Sequence, residues 1–221
     1  MAVKLLICDL DGTLIDSAAD ISAAVNYALG TYAISPVTLE QTKACVGEGI
    51  STLIEKILVL KGATVPDKES LVQRVLRYYA AHPVANTVPY PGVRETVAAL
   101  AACKKAVISN KLTALAQEIL RALDLLRYFA IVAGADSSLE QKPSPVPVLR
   151  VLSLLDVGPE ETLMVGDSIY DMMAARAAGI RTVAVTYGYG KESFSEGCDY
   201  VIDRFSELLE IVQSSQSNCI E

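Results

Sequence analysis

Short apolar runs separated by helical patterns constrain the fold of this chain more than any other feature. They are rich in Val, Ile and Leu without strict apolar–polar alternation, and they lie at 3–8, 105–109, 130–134, 161–166 and 181–186. Such runs are typical of parallel strands covered by helices on both faces. Helical patterns follow or precede these runs at 113–126, 147–156 and 171–179, the last closed by Gly179. The sequence therefore predicts an α/β fold with a doubly wound parallel sheet.

One long interval interrupts this alternation. Between residues 17 and 82 the sequence shows amphipathic helical patterns and no convincing strand. Ser17 and Asp20 have the spacing of a capping box at the first of these helices. Because the block is too long for a simple crossover, we expect an inserted helical domain at 16–83, and a core formed by 1–15 and 84–221. The Pro-rich stretch 82–93 marks the return to the core.

Composition narrows the class of protein. With 221 residues, 52% of them hydrophobic, the chain can bury a sizeable core. The net charge of −7, without a cluster of Lys and Arg, argues against a nucleic-acid partner. The apolar runs are far shorter than the roughly 18 residues of a membrane helix, and the N-terminus lacks the pattern of a secretory signal. The cysteines form no C-x-x-C pair. We therefore expect a cytoplasmic protein without a membrane partner, either monomer or homodimer.

Two aspartates stand where the first predicted strand ends. The stretch LLICDLDGTLIDS at 5–17 places Asp9 and Asp11 there, directly before Gly12. Taken alone, Asp11-Gly12 is typical of a hairpin turn. A calcium-binding loop would need an acid or Asn at position 13 and Gly at position 14, where Thr13 and Leu14 stand, so that alternative fails.

Further polar residues follow the other predicted strands. Ser109 ends the second strand, Lys142 lies in the loop after the third, and Asp167 and Asp171 follow the fourth. Each has an ordinary explanation on its own: a turn or helix cap, a solvated lysine, or an acid on an exposed helix face. The carboxyl ends of parallel strands meet at one edge of the sheet, however, so we expect these side chains to converge on Asp9.

Together these motifs resemble those of the haloacid dehalogenase-like hydrolase superfamily. The resemblance lies in D-x-D-G-T at 9–13, the serine at 109, the lysine at 142 and G-D-S-x-x-D at 166–171. The stretches CVGEGIS at 45–51 and PYPGVRETVAAL at 89–100 are similar to segments of the phosphoglycolate phosphatase-like branch. The resemblance covers nearly the whole chain. It implies a Rossmann-like core with an inserted α-helical cap.

The resemblance also implies roles for individual residues, and these roles suit phosphoryl transfer. Asp9 is the expected nucleophile, and Asp11 the expected acid and base. Lys142 and a divalent ion, Mg²⁺, would offset the crowded negative charge. The implied ligands of the metal are Asp9, the backbone carbonyl of Asp11 and Asp167, with Asp171 either a further ligand or a support behind the ligands. The expected catalytic set is completed by Ser109, which together with the amide of Asn110 would bind phosphate oxygens.

Residues that contact the substrate are also expected. They comprise Gly12 and Thr13, at the end of the first motif, Asn110, and a cap group formed by Lys43, Gly47, Glu48 and Gly49. As a hypothesis, the loop at 47–49 closes over the site, and Lys43 lies near the distal group of the substrate. Glu48 would repel a carboxylate substrate unless its side chain turns away.

These expectations lead to a magnesium-dependent phosphatase that acts on a small phosphorylated metabolite, with 2-phosphoglycolate as the best candidate. A phosphosugar mutase, and a pyrophosphatase or nucleotidase of the same superfamily, remain as alternatives. A non-catalytic binding protein on the same fold is a further alternative, but it predicts the loss of a motif residue, and all motif residues are present. A Ser-His-Asp system is disfavoured because His82 is the single histidine and no G-x-S-x-G elbow occurs.

Overall fold

A six-stranded parallel sheet forms the centre of the protein. The computed structural model describes residues 2–138, 140–190 and 197–217. The strand order is β5-β4-β1-β6-β7-β8. In chain order these strands are β1 (Leu5–Cys8), β4 (Lys104–Ile108), β5 (Ile131–Ala133), β6 (Thr162–Gly166), β7 (Arg181–Val185) and β8 (Tyr200–Ile202). The parallel sheet predicted from the apolar runs is confirmed.

Helices cover both faces of this sheet, as the continuous apolar strands require. Leu5 and Ile7 of β1 pack on the side of α7 (Val146–Leu155) and α8 (Ile169–Ala177). Leu6 and Cys8 point the other way, toward the side of α5 (Val93–Ala99), α6 (Thr113–Ala122) and α9 (Leu208–Ser217). The alternation of successive side chains between the two faces makes the core doubly wound, as predicted.

Four helices lie in the long stretch that follows β1, between residues 17 and 82, and we call them the cap. They are α1 (Ala18–Gly30), α2 (Leu39–Lys43), α3 (Ile50–Leu60) and α4 (Lys68–Ala81). Each side of the cap joins a short strand, β2 (Ile15–Asp16) before it and β3 (Val88–Pro89) after it, and these strands pair antiparallel. The two connections therefore run side by side where the chain leaves and re-enters the core. The domain boundaries at 16–83 stay a prediction.

The expected capping box at the start of α1 is wrong. The hydroxyl of Ser17 donates to Asp11 and accepts no hydrogen bond from the backbone amides of α1. The Asp20 carboxylate instead accepts hydrogen bonds from the backbone and side chains of Asn86 and Thr87, at 2.6 to 3.0 Å. Asp20 thus ties the start of α1 to the returning segment, because donors distant in sequence outcompete the local backbone.

Some elements were not predicted from the sequence. The edge strand β8 is only three residues long and partly exposed, so it lacks the continuous apolar run of the other strands. The short α2 and the pair β2 and β3 also escaped prediction, since two to five residues carry little periodicity. None of the described helices has the length and apolar character needed to span a membrane. Cys219 and the last residues of the predicted core lie outside the described residues.

Candidate active site

Asp9, Ser109 and Asp167 follow the ends of three adjacent strands. In the register of the sheet, Cys8 of β1 pairs with Val107 of β4 on one side and with Val165 of β6 on the other. The Asp9 amide continues this ladder by donating to the carbonyl of Val165 at 2.9 Å. The polar residues are therefore set at the same edge of the sheet, as predicted.

Lys142 joins two of the acidic residues at this edge. Its ammonium lies 2.6 Å from Asp9 Oδ1 and 2.6 Å from Asp171 Oδ1. The side chain of Lys142 is 3% exposed and that of Asp171 is completely buried. Carboxylate oxygens of Asp9, Asp167 and Asp171 lie within 4.8 Å of one another. One ammonium thus stands among three buried acids, so the group as a whole has an excess of negative charge.

This arrangement shifts the pKa values of its members. Burial by itself lowers the pKa of Lys142, but Asp171 and Asp9 outweigh burial and hold the pKa above its ordinary value. Burial raises the pKa of Asp9, and the neighbouring carboxylates add to that effect while Lys142 opposes it. Burial and the charge of Asp171 raise the pKa of Asp167 to about 7. The raised pKa values of Asp9 and Asp167 show that it is unfavourable to bring several ionised acids together in a buried site without a further cation.

The orientation of Asp167 is fixed by neighbours on two loops. Thr13 donates its hydroxyl to Asp167 Oδ1 at 3.2 Å, and the backbone amides of Tyr189 and Gly190 donate to Oδ2 at 2.7 and 3.3 Å. Gly12 has a φ of +87°, and a Cβ there would lie 2.2 Å from Asp167 Oδ2. Only glycine fits this close approach. Gly12 and Thr13 therefore shape the acidic group, and their contact with substrate stays a prediction.

Asp171 is held by the start of its own helix. Ser168 is the N-cap of α8, and both its amide and its hydroxyl donate to Asp171 Oδ2, at 3.1 and 2.6 Å. The other oxygen of Asp171, Oδ1, accepts a hydrogen bond from the ammonium of Lys142. Because both oxygens are engaged, the carboxylate keeps one orientation toward Asp9.

Asp11 has partners that the sequence did not indicate. Its Oδ1 accepts from the hydroxyl of Ser17 and, at 2.6 Å, from the ammonium of Lys111. Lys111 also donates to the hydroxyl of Tyr79 on α4, at 2.8 Å, and lies 4.6 Å from the centroid of that ring. Burial alone lowers the pKa of Lys111, but the charge of Asp11 and the Tyr79 hydroxyl hold it above its ordinary value. A buried cation therefore connects Asp11 to the cap.

The cap loop at 47–49 contacts the core directly. The side-chain amide of Asn110 donates to the carbonyl of Gly47 at 2.9 Å and to that of Lys142 at 2.9 Å. The Gln141 side chain donates to the carbonyl of Glu48 at 3.3 Å. Gly49 lies beside them, because a Cβ at this position would be 3.2 Å from the Asn110 carbonyl. The loop is thus docked over the strand ends, and its contact with substrate stays a prediction.

The charge of Glu48 is offset by its own surroundings. The carboxylate pairs with Lys56 of α3 and bonds to the hydroxyl of Tyr170 on α8. Burial tends to raise the pKa of Glu48, but these two partners hold it below the usual value. The charge of Lys43, unlike that of Glu48, is not offset by an ion pair with a carboxylate of the described residues. Its ammonium lies 5.7 Å from the centroid of the Tyr189 ring.

A cavity of about 630 Å³ lies between the cap and the strand ends. Its lining includes predicted site residues from both sides: Asp9, Asp11, Lys43, Gly47, Glu48, Gly49, Ser109, Asn110 and Asp167. Lys142 and Asp171 are buried and do not belong to this lining. The oxygen-only donor set of Asp9, Asp167 and Asp171 suits a hard divalent cation. The site can therefore hold a metal ion at the base of a cavity large enough for a small metabolite.

Several residues of the site escaped sequence analysis for different reasons. Lys111 follows Ser109 and Asn110 directly, so its place near the strand end was a usable signal. Tyr79, Tyr170 and Tyr189 reach the cavity from distant segments and have no local motif that marks them.

Comparisons with known proteins agree with these observations. The model of the family described as haloacid dehalogenase-like hydrolase matches residues 6–185. A phosphoglycolate phosphatase from Nitrosospira multiformis is 35% identical, over 97% of this chain and 98% of the relative. One from Aquifex aeolicus is 36% identical, over 96% and 98%. The crystal structure of a predicted phosphoglycolate phosphatase from Haemophilus somnus superposes with a TM-score of 0.91 at 29% identity, covering 96% of this chain and 98% of that one.

Proposed function

Because the chain belongs to the haloacid dehalogenase-like hydrolase family, we propose that it is a phosphatase that hydrolyses 2-phosphoglycolate through a phosphorylated Asp9. The observation that carries the proposal is the buried Asp9 carboxylate at the end of β1, 2.6 Å from the ammonium of Lys142 and at the base of a cavity closed by the cap. The names of the relatives from Nitrosospira multiformis and Aquifex aeolicus support the choice of substrate.

The reaction proceeds in two displacements at phosphorus. An oxygen of Asp9 forms a bond to phosphorus while the bond to the glycolate oxygen breaks, and Asp11 gives its proton to that leaving oxygen. Asp11 then takes a proton from water, whose oxygen attacks phosphorus as the bond to Asp9 breaks. Inorganic phosphate leaves, and both aspartates return to their starting state.

Residues around Asp9 stabilise the transferring group. Lys142 neutralises charge on Asp9 and on the phosphate oxygens, as the ion pairs at 2.6 Å support. Ser109, 4% exposed and part of the cavity lining, provides a hydroxyl, and the backbone amide of Asn110 provides a second donor. The side chain of Asn110 is already engaged with Gly47 and Lys142, which fixes this segment.

We propose Mg²⁺ as the cofactor. Asp9, Asp167 and Asp171 would hold it, together with the backbone carbonyl of Asp11. When bound, Mg²⁺ neutralises the excess charge of the acids and polarises the phosphoryl group. The raised pKa values of Asp9 and Asp167 support the need for such a cation.

The carboxylate of the substrate is proposed to meet Lys43. This ammonium lines the cavity, lies against Tyr189 and has no carboxylate of its own among the described residues. Repulsion between Glu48 and the substrate carboxylate is weakened, because Lys56 and Tyr170 already engage the Glu48 side chain.

A cytoplasmic location also belongs to this proposal, supported by the buried thiols Cys8, Cys45 and Cys103. The oligomeric state, monomer or homodimer, stays a prediction.

A substrate panel tests the proposal. Phosphate release is measured with and without Mg²⁺ on 2-phosphoglycolate, ethyl phosphate, β-glucose 1-phosphate, pyrophosphate and a nucleoside monophosphate. We expect Mg²⁺-dependent release that is fastest with 2-phosphoglycolate. Interconversion of β-glucose 1-phosphate without phosphate release would instead establish the mutase. Faster turnover of pyrophosphate or the nucleoside monophosphate would establish a pyrophosphatase or nucleotidase, and no turnover by folded protein would favour a binding protein.

Variants of Asp9 and Lys43 sharpen this test. Asp9→Asn removes the nucleophile and should reduce kcat by at least about 10³-fold. Lys43→Met should raise KM for 2-phosphoglycolate by about tenfold while KM for ethyl phosphate stays constant, since only the former carries a carboxylate. Asp124→Asn, a change of one exposed charge, is the matched control and should leave both constants unchanged. Full activity of Asp9→Asn would remove the assigned mechanism.

A further inference from the structure

The side chain of Lys111 contacts both Asp11 of the site and Tyr79 of the cap. Its ammonium contacts Asp11 Oδ1 at 2.6 Å and the Tyr79 hydroxyl at 2.8 Å. The side chains of Lys111 and Asp11 are 8% and 11% exposed, so the pair is largely screened from solvent. A surface ion pair contributes little, but a buried lysine with two well-formed contacts is held in one position.

The two hydrogen bonds that Asp11 accepts from Ser17 and Lys111 end on the same carboxylate oxygen. The Ser17 hydroxyl and the Lys111 ammonium both donate to Oδ1. Neither bond uses Oδ2. A protonated carboxyl group that accepts two hydrogen bonds through one oxygen carries its proton on the other. The two donors therefore select Oδ2 as the oxygen that gives and takes the proton.

The Tyr79 contact adds a link to the cap. Tyr79 lies in α4, is 3% exposed, and its hydroxyl accepts from Lys111 while its ring faces the same ammonium. Lys111 itself belongs to the loop after β4, next to Ser109 and Asn110. The position of Lys111, and through it that of Asp11, thus depends on α4 being in its docked place.

On the basis of the proposed function, we infer that Lys111 is a positioning residue: it is held by Tyr79 of the cap and fixes Asp11 through Oδ1, so that Oδ2 faces the leaving oxygen. Lys111 acts through Asp11 and makes no bond to phosphorus. The arrangement couples proton transfer to the docked cap, because undocking α4 removes one of the two contacts that hold the ammonium.

The test compares leaving groups that differ in their need for a proton. Ethyl phosphate and 2-phosphoglycolate expel alkoxides, which need the proton of Asp11, whereas acetyl phosphate expels a carboxylate, which does not. Lys111→Met should lower kcat/KM on both alkyl esters by about 10²-fold and on acetyl phosphate by less than about threefold. Lys111→Arg, which keeps a charged donor toward Asp11 Oδ1, should recover at least about tenfold of the loss on alkyl esters.

The cap contact is tested with Tyr79→Phe. This variant keeps the ring and removes the hydroxyl, and it should show a smaller loss, about three- to tenfold, with the same dependence on the leaving group. The neighbouring Tyr78→Phe is the matched control on the same helix, because Tyr78 stacks on Tyr27 and His82 instead. Lys68→Met, which breaks an exposed pair with Glu55, controls for the loss of a lysine. Both controls should match the wild type.

Specific results would overturn the inference. Equal losses on all three substrates would give Lys111 a general role in folding or phosphate binding. A loss of kcat/KM confined to 2-phosphoglycolate would show that Lys111 binds the substrate carboxylate instead. Unchanged kinetics of Lys111→Met would remove any role. These results concern the variants relative to the wild type, whereas failure of the proposed function would appear as absent alkyl ester hydrolysis by the wild type itself.

Discussion

Lys142 and Asp171 form a buried ion pair, with 2.6 Å between Nζ and Oδ1 and neither side chain more than 3% exposed. The same ammonium is equally close to Asp9. Two carboxylates therefore share one cation in a region that water scarcely reaches. Removing that cation leaves acids whose charges cannot be solvated, which is the costly way to break a buried pair.

Lys142→Met should therefore destabilise the metal-free protein as well as abolish its activity. We expect a loss of about 3–5 kcal/mol in the free energy of unfolding, measured by urea denaturation in the presence of EDTA. Lys68→Met removes a lysine from an exposed pair with Glu55 and should change the same quantity by less than about 1 kcal/mol. Equal effects of the two variants would contradict the buried pair as described.

Mg²⁺ should stabilise the folded protein through the acids at the strand ends. Titration of metal-free protein with Mg²⁺ should raise Tm, because only the folded state brings Asp9, Asp167 and Asp171 together. Asp167→Asn should remove most of this increase, since the acids lose one of three charges. The control Asp124→Asn changes the same charge on the exposed surface and should keep the full increase. A Tm that does not respond to Mg²⁺ would argue against the metal site.

Gly12 should not tolerate a side chain. At its φ of +87° an alanine costs roughly 1–2 kcal/mol, and its Cβ would also lie 2.2 Å from Asp167 Oδ2. Gly179→Ala is the matched control, because Gly179 has a φ of +73° with no atom within 4 Å of the added Cβ. Both variants should lower Tm, Gly12→Ala at least as much as Gly179→Ala because of the added overlap, but only Gly12→Ala should lose activity, by at least about 10²-fold. Full activity of Gly12→Ala would mean that Asp167 can move without consequence.

The sequence predicted the parts of the site that depend on strand ends. Asp9, Ser109 and Asp167 each follow a continuous apolar run, and parallel strands necessarily bring such positions to one edge. Lys142 lies in the loop that follows β5, so the same argument predicted it at this edge, whereas its role came from the resemblance. The inner strands of the core and the longer cap helices α1, α3 and α4 were predicted for the same reason, since their apolar patterns extend over several residues.

The parts that escaped depend on contacts between distant segments. Nothing local to Tyr79 shows that its hydroxyl meets Lys111, 32 residues further along the chain. Ser17 and Asp20 matched a capping box, yet both side chains turn to partners outside α1. Local patterns give the alternatives open to a polar side chain, and the tertiary structure decides between them.

Asp20 should stabilise the junction between the cap and the core. Its carboxylate, 3% exposed, accepts hydrogen bonds from the backbone and side chains of Asn86 and Thr87. Asp20→Asn keeps the shape but turns one acceptor oxygen into a donor that faces other donors. We expect a loss of about 2–3 kcal/mol in the free energy of unfolding at pH 7.

This loss should depend on pH in a defined direction. Burial opposes ionisation of Asp20, but the bonds from Thr87 and Asn86 outweigh it and hold its pKa below the usual value. A depressed pKa means that the stabilisation is complete above the unfolded pKa, about 4, and is lost as the pH falls through the folded pKa. Urea denaturation of wild type and Asp20→Asn from pH 7 to pH 3 should therefore show a gap that narrows only at the acid end. A gap of constant size would mean that shape rather than charge at Asp20 holds the two connections together.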